Sequence, residues 1–368
     1  MAAEATPARF PTHDAIASPN GTPANASAPR TTAIDPKRFS MGLGVLPRDR
    51  AIAKAPLNIG YDAPMPELPD LEVYVEQLAA RVAGETLERV RVANPFLVRS
   101  FDPPIKALEK RKVLGVRRMA KRLVFAFEGD LFMVIHLMIA GRFRWREPNA
   151  KIPGKLGLIA FDFAKGTLIL TEAGTKRRAS LHVVRVEEAL RALDPGGIDV
   201  FTCTLQQFKE ELTRERHTLK RTLTDPHLFS GIGNAYSDEI LHRAKLSPVK
   251  MSTSLDDAEI ERLLETTRIV LREWTERLRA EAKGDFPEKV TAFRDEMAVH
   301  GKFGKPCPVC GSPVQRIRHA DNEVNYCATC QTGGKLLADR ALSRLLRGDW
   351  PKSIDEMEEH IAQRKLPK

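Results

Sequence analysis

The chain has 368 residues, enough for two domains with separate cores, and carries 58 Lys+Arg against 48 Asp+Glu for a formal charge of +10. Such a balance bears on partners rather than on fold, and it suits a polyanion such as nucleic acid. No apolar run reaches the roughly 18 residues of a membrane span, and no apolar segment follows a basic start, so neither membrane insertion nor secretion is expected.

Residues 1–64 are rich in Ala, Pro, Thr, Ser and Asn and carry breakers such as Ser18-Pro19-Asn20-Gly21, a composition that predicts disorder. With Glu4, Asp14 and Asp35 scattered through them, an upstream misassigned start is a simpler account than a transit peptide. Met65-Pro66-Glu67-Leu68-Pro69-Asp70-Leu71-Glu72 comes next. Trimming after Met65 would give Pro66 a free secondary amine. An α-amino group has an unperturbed pKa of about 7.7–8.0, so a useful fraction is neutral and can attack an aldehyde-like sugar C1′. Glu67 stands beside it to move protons. While residues 1–64 stay attached that nitrogen is an amide, and the plainer reading is a pair of prolines flanking a helix start.

Leu71, Val73, Tyr74, Leu78 and Val82 predict a helix with one buried stripe. From Thr86 to about Val186 the period becomes two. Residues 123–127 and 131–135 form one hairpin around Glu128-Gly129-Asp130, and 158–163 and 167–170 another around Ala164-Lys165-Gly166. Several such strands predict a β-sandwich or barrel. Asp194-Pro195-Gly196-Gly197 marks a linker. Beyond it Ile260, Leu263, Leu264, Leu271, Trp274 and Leu278 predict a core helix, with Ser254 and Asp257 as its capping pair. Leu336, Leu337, Leu342, Leu345 and Leu346 give the last segment helical spacing and an apolar face for the preceding module.

Three motifs carry chemistry. Cys307-Pro308-Val309-Cys310 and Cys327-Ala328-Thr329-Cys330, separated by residues 311–326, have the spacing of a four-thiolate Zn²⁺ site. Four sulfurs at about 2.3 Å leave no open position, so one structural ion is expected per chain. Cys203 is left as a small core residue, and this cysteine usage fits a reducing, cytosolic compartment. On the intervening hairpin Arg316, Arg318 and His319 read equally as phosphate contacts or a solvated face.

Ser230-Gly231-Ile232-Gly233-Asn234-Ala235-Tyr236-Ser237-Asp238-Glu239-Ile240 joins a helix near 219–223 to another over about 235–244. Backbone N–H groups at the second helix's start, with Asn234, offer a phosphate site, and Lys220 is a second contact. Such a grip positions a backbone without reading its sequence. The third motif, Arg117-Arg118-Met119-Ala120-Lys121-Arg122, is either a solvated strand end or a phosphate track lining a groove.

The order of these pieces resembles the formamidopyrimidine-DNA glycosylase and endonuclease VIII family of base-excision repair enzymes, over roughly residues 65–331. The resemblance implies an α+β chain. An N-terminal β-sandwich with flanking helices (65–186) would precede a C-terminal helical, helix-two-turns-helix domain (196–290) and a four-cysteine zinc ribbon (297–331), ending in a helical tail (332–368). It implies a monomer acting on damaged double-stranded DNA in the cytoplasm, at the nucleoid in a bacterium. Pro66, Glu67 and Lys121 would be the catalytic group. Pro66 would attack C1′ of a flipped nucleotide, Glu67 would act as general acid/base, and the Schiff base would drive β- and δ-elimination. Lys121 would sit near the lesion and its phosphate, and Lys220 and Asn234 would hold backbone phosphates.

Departures from the family pattern bear on the substrate base more than on the chemistry. Asn322 stands where the family has an arginine. His136-Leu137-Met138-Ile139-Ala140-Gly141 puts Ile139 at the methionine wedge. Arg177-Arg178-Ala179-Ser180 keeps Arg177 and Arg178 as DNA contacts, with Arg316, but lacks the aromatic wedge. The segment before Phe293 is short for a loop that caps an oxidised purine. The second reading is a non-catalytic damaged-DNA-binding paralogue, which rests on the blocked Pro66 and on Asn322.

Overall fold

A computed structural model describes residues 65–173, 176–288, 290–291, 293–319, 322–338, 351–357 and 359. The expectations for residues 1–64 and for Leu342, Leu345 and Leu346 lie outside them. Helix α1 (Leu68–Val82) begins with Pro69 in its first turn, where a fixed φ and a missing N–H cost nothing. Its buried face holds the predicted stripe and adds Leu68, Pro69 and Asp70.

Eight strands follow: β1 (Leu87–Val92), β2 (Val113–Met119), β3 (Arg122–Phe127), β4 (Leu131–His136), β5 (Gly141–Arg146), β6 (Gly157–Phe163), β7 (Gly166–Glu172) and β8 (Ser180–Arg185). They form two antiparallel four-stranded sheets, ordered β1-β6-β7-β5 and β2-β3-β4-β8. Both predicted hairpins are present, as β3/β4 and β6/β7. One core draws on α1 and both sheets, with Tyr74, Leu78, Phe125, Phe143 and Phe161 among its members. Tyr74 meets Phe143 edge-on at 5.9 Å between ring centroids.

After the short α2 (Glu187–Arg191) come α3 (Leu205–Thr213), α4 (Leu219–Thr224), α5 (Asn234–Arg243) and α6 (Asp257–Ala282). They enclose a second core that includes Cys203, Phe208, Phe229, Tyr236, Leu263 and Trp274. The cap of α6 differs from expectation. Asp256 accepts the Glu259 N–H at 2.8 Å and Glu259 accepts the Asp256 N–H at 3.1 Å, a reciprocal box that neither Ser254 nor Asp257 joins. The Ser254 hydroxyl instead donates to Met251 O at 2.8 Å. The last elements are the hairpin β9 (Gln315–His319) and β10 (Asn322–Tyr326), then α7 (Ala328–Thr332). Leu336 and Ile354 pack on Ile317, Val324 and Tyr326 of that hairpin, so the described part of the final segment does lie against it.

Three of the four cations in the basic run 117–122 are engaged within the protein. Arg117 pairs with Glu187 at 2.6 Å, and Arg122 donates to Leu193 O. Arg118, its side chain 9% exposed, donates to Glu72 at 2.6 Å, Asp199 at 2.8 Å, Ser230 Oγ at 3.0 Å and Ala120 O at 3.1 Å. One guanidinium thus joins α1, the end of β2, the linker and the turn before α5. Arg118→Met should destabilise the protein by about 2–4 kcal/mol, somewhat less than a fully buried pair, because both carboxylates reach water. A lower urea midpoint at unchanged slope is the expected reading, and an unchanged midpoint would remove Arg118 as the tie.

Candidate active site

Pro66 is buried directly before α1. The Glu67 carboxylate, also buried, runs into the start of α5. Its Oε2 accepts the N–H groups of Gly233 at 2.8 Å and Tyr236 at 3.2 Å, and its Oε1 accepts Ala235 N–H at 2.9 Å. These are donors that a helix's first turn leaves without intrahelical partners. The backbone groups expected to hold a phosphate therefore hold Glu67.

The Gly-x-Gly of this turn is explained by the close approach of Glu67 and Leu68. A Cβ on Gly233 would fall 2.4 Å from Glu67 Cδ, and one on Gly231, at φ +84°, would fall 2.9 Å from Leu68 Cβ. Leu68 N–H donates to Gly231 O at 3.0 Å, fixing the chain start against the turn.

Lys121 sits in the two-residue turn between β2 and β3, next to Ala120 at φ +49°. Burial holds its amine below the usual lysine range, opposed by nearby Glu67 and assisted by Lys220. His136, pushed down to about 4 by burial and by Arg122 and Lys121, is neutral at pH 7.

Lys220 is buried, and its Nζ donates to Asp238 Oδ1 and Asn234 O, both at 2.5 Å. The Asn234 amide donates to Glu323 O at 2.9 Å, linking α5 to β10. In the cysteine cluster the four sulfurs lie within 4.8 Å of one another, with Cys310–Cys327 at 3.4 Å and Cys307–Cys330 at 3.9 Å. Sulfurs at about 2.3 Å from a tetrahedral ion stand about 3.8 Å apart, so this donor set fits one. Around it, Cys330 N–H donates to Cys327 Sγ at 3.5 Å and His242 Nε2 lies 3.3 Å from Cys307 Sγ.

Three family models match in the same order: the formamidopyrimidine-DNA glycosylase N-terminal domain over residues 65–179, its H2TH domain over 196–282, and a zinc finger found in FPG and IleRS over 304–333. A formamidopyrimidine-DNA glycosylase of Heliobacterium modesticaldum is 30% identical over 284 residues, covering 73% of this chain and all of the relative. The chain belongs to the formamidopyrimidine-DNA glycosylase family.

The Rickettsia conorii glycosylase is also 30% identical, over 73% of this chain and 99% of its own. The Lactococcus lactis glycosylase, solved non-covalently bound to DNA containing an AP site, superposes with a TM-score of 0.64 at 25% identity. That match covers 72% of this chain and 99% of the other. The same enzyme with DNA containing an oxidised pyrimidine gives a TM-score of 0.65 at 26% identity, over 73% and 100%.

Of the other residues singled out for this family, Ile139, Arg177 and Arg178 lie between strands and Arg316 and Asn322 lie in the β9–β10 hairpin. Ile139 is exposed in the β4–β5 loop, beside Met138 at φ +53°. Arg177 and Arg178 are exposed ahead of β8. Arg177 donates to Lys155 O, and Glu172 accepts the Arg178 N–H at 2.8 Å. Arg316 stacks over the exposed Phe303 at 4.2 Å and lies 3.4 Å from Glu323. Asn322 opens β10, and its side chain lies outside what is described.

Three acids escaped sequence reasoning. Asp70 accepts Glu67 N–H at 3.1 Å, and burial pushes it up to about 6 against the pull of that amide and of Arg294. Asp238 joins Lys220 to His300, whose Nδ1 is 2.8 Å away, and accepts Asn325 N–H at 3.2 Å. Glu239 accepts the N–H groups of Ala298, Val299 and His300 at 2.8–3.0 Å. The available signal for the last two was a pair of adjacent acids on a helix packed on nearly every side.

Proposed function

We propose that the chain beginning at Pro66 is a bifunctional DNA glycosylase and apurinic/apyrimidinic lyase, which excises oxidised bases from duplex DNA as a monomer with one structural Zn²⁺. The observation that carries this reading is the Glu67 carboxylate, held by three N–H groups at the start of α5, in the residue directly after the proline. With its nitrogen free, Pro66 attacks C1′ and the N-glycosidic bond breaks, the departing base taking a proton by way of Glu67. The iminium acidifies the C2′ proton, whose removal expels the 3′ phosphate, and a second elimination releases the 5′ phosphate. One covalent intermediate thus serves base removal and strand cleavage. The relatives solved with AP-site and oxidised-pyrimidine DNA support this substrate class.

The test is a set of duplexes, each with one oxidised pyrimidine, Fapy-dG, 8-oxo-G or abasic site, incubated with mass-verified protein starting at Pro66. Release of free base together with strand nicking is expected on at least one base lesion. Lesion binding without base release on any of them would replace this reading with that of a damaged-DNA-binding paralogue.

A further inference from the structure

In the 368-residue chain Pro66 follows Met65, so its nitrogen lone pair is delocalised into a peptide bond. A second amine, that of Lys121, is carried by a turn tied to this end of α1: Arg118 Nη1 donates both to Ala120 O and to Ser230 Oγ, beside Gly231, whose O accepts the Leu68 N–H. Lys121 is on a turn that cannot swing freely, because Arg118 donates to Ala120 O while its other nitrogens are fixed on Glu72 and Asp199. Its side chain is half-buried, and among the described residues no hydrogen bond or ion pair engages its Nζ. Arg117, Arg118 and Arg122 of the same run all have protein partners. The charges that act on Lys121 are those of Glu67, the residue that follows Pro66, and of Lys220.

We propose that Lys121 is a second imine-forming nucleophile of this site, which cleaves abasic DNA when Pro66 is still acylated. The inference rests on the preceding reading, that C1′ of an abasic sugar comes to the Pro66–Glu67 end of α1. A lysine becomes a nucleophile near pH 7 when it is desolvated or set near another cation. Lys121 is half-buried with no partner for its Nζ among the described residues, and the charge of Lys220 bears on it.

In the reaction the neutral Nζ adds to C1′ of the ring-opened sugar, forming the N–C bond. Proton transfer to the carbonyl oxygen and its loss as water leave an iminium. Removal of a C2′ proton then sends that electron pair toward the iminium, and the C3′–O bond breaks with the phosphate as leaving group. Water hydrolyses the conjugated imine and returns the lysine. No oxidant or reductant takes part until hydride is added as a probe.

The experiment uses two proteins, the full chain verified by mass to retain Met1 and the chain starting at Pro66. Each is incubated with a duplex bearing one abasic site and with sodium borohydride, and the adduct is located by peptide mapping. The full chain should be trapped on Lys121, with at least tenfold less adduct for Lys121→Arg, which keeps a cation but offers no neutral amine. The adduct of the Pro66-start protein should map to Pro66. An adduct of the full chain on any other residue would overturn the proposal. So would a full chain that is not trapped while the Pro66-start protein is, a result that leaves the proline reading standing. Failure to trap either protein would overturn both.

Discussion

Replacing Glu67 with Gln in the Pro66-start protein should slow base excision by about 10²–10⁴-fold, the usual worth of a positioned general acid or base. An amide cannot carry the proton. The substitution also places an NH₂ group where one carboxylate oxygen accepts Ala235 N–H or where the other accepts Gly233 and Tyr236 N–H. At least one buried donor then loses its acceptor, at a cost of about 1–3 kcal/mol in stability. The two effects separate experimentally. Single-turnover release of base, measured where the variant is fully folded, reports the chemistry, and a denaturant midpoint reports the lost acceptor. Nicking of a preformed abasic site should fall less than base release, since no base has to leave. Base release within about threefold of the parent would remove Glu67 from its catalytic role.

Stripping the metal should weaken duplex binding at least tenfold, because the ribbon is fastened to the buried polar network of α5. Asn325 N–H donates to Asp238, and Glu323 O accepts the Asn234 amide. Asp238 in turn holds Lys220 and His300. Structural Zn²⁺ in finger-like sites contributes about 10–16 kcal/mol of apparent binding energy to folding, far more than so short a hairpin gains from its small core. Zinc content per chain and duplex affinity, each measured before and after chelation, decide the matter. Loss of the ion with unchanged affinity would disconnect the ribbon from DNA binding.

The elements legible in the sequence are those whose signal is local. The α1 stripe, the β3/β4 hairpin around Glu128-Gly129-Asp130 and the paired cysteines each lie within a short window. Strands β6 and β7 are buried at every residue, so their continuous apolar runs lack alternation and only the turn between them marks a hairpin. The α6 capping pair lies two residues beyond Ser254 and Asp257 because Ser254, Asp256 and Asp257 are all capping types, and Asp256 is the one with a glutamate, Glu259, three positions on. The site is least legible where distant segments meet. Glu67 is received by backbone N–H groups more than 160 residues away, and backbone donors leave no residue signature. The structural role of Arg118 is hidden in the sequence, where its run reads as a solvated strand end or a phosphate track, because its partners Glu72, Asp199 and Ser230 lie on three separate segments.

The central claim, that the nitrogen of Pro66 is the group that becomes bonded to C1′, is tested most directly by hydride trapping on the Pro66-start protein. Duplex DNA with one oxidised base that the protein excises is incubated with it and borohydride, and the adduct is digested and mapped. The account predicts one dominant DNA adduct on the first residue, reduced at least tenfold in Pro66→Gly because the cyclic secondary amine is gone. A dominant adduct on an internal lysine, or base release with no trappable intermediate, would contradict it.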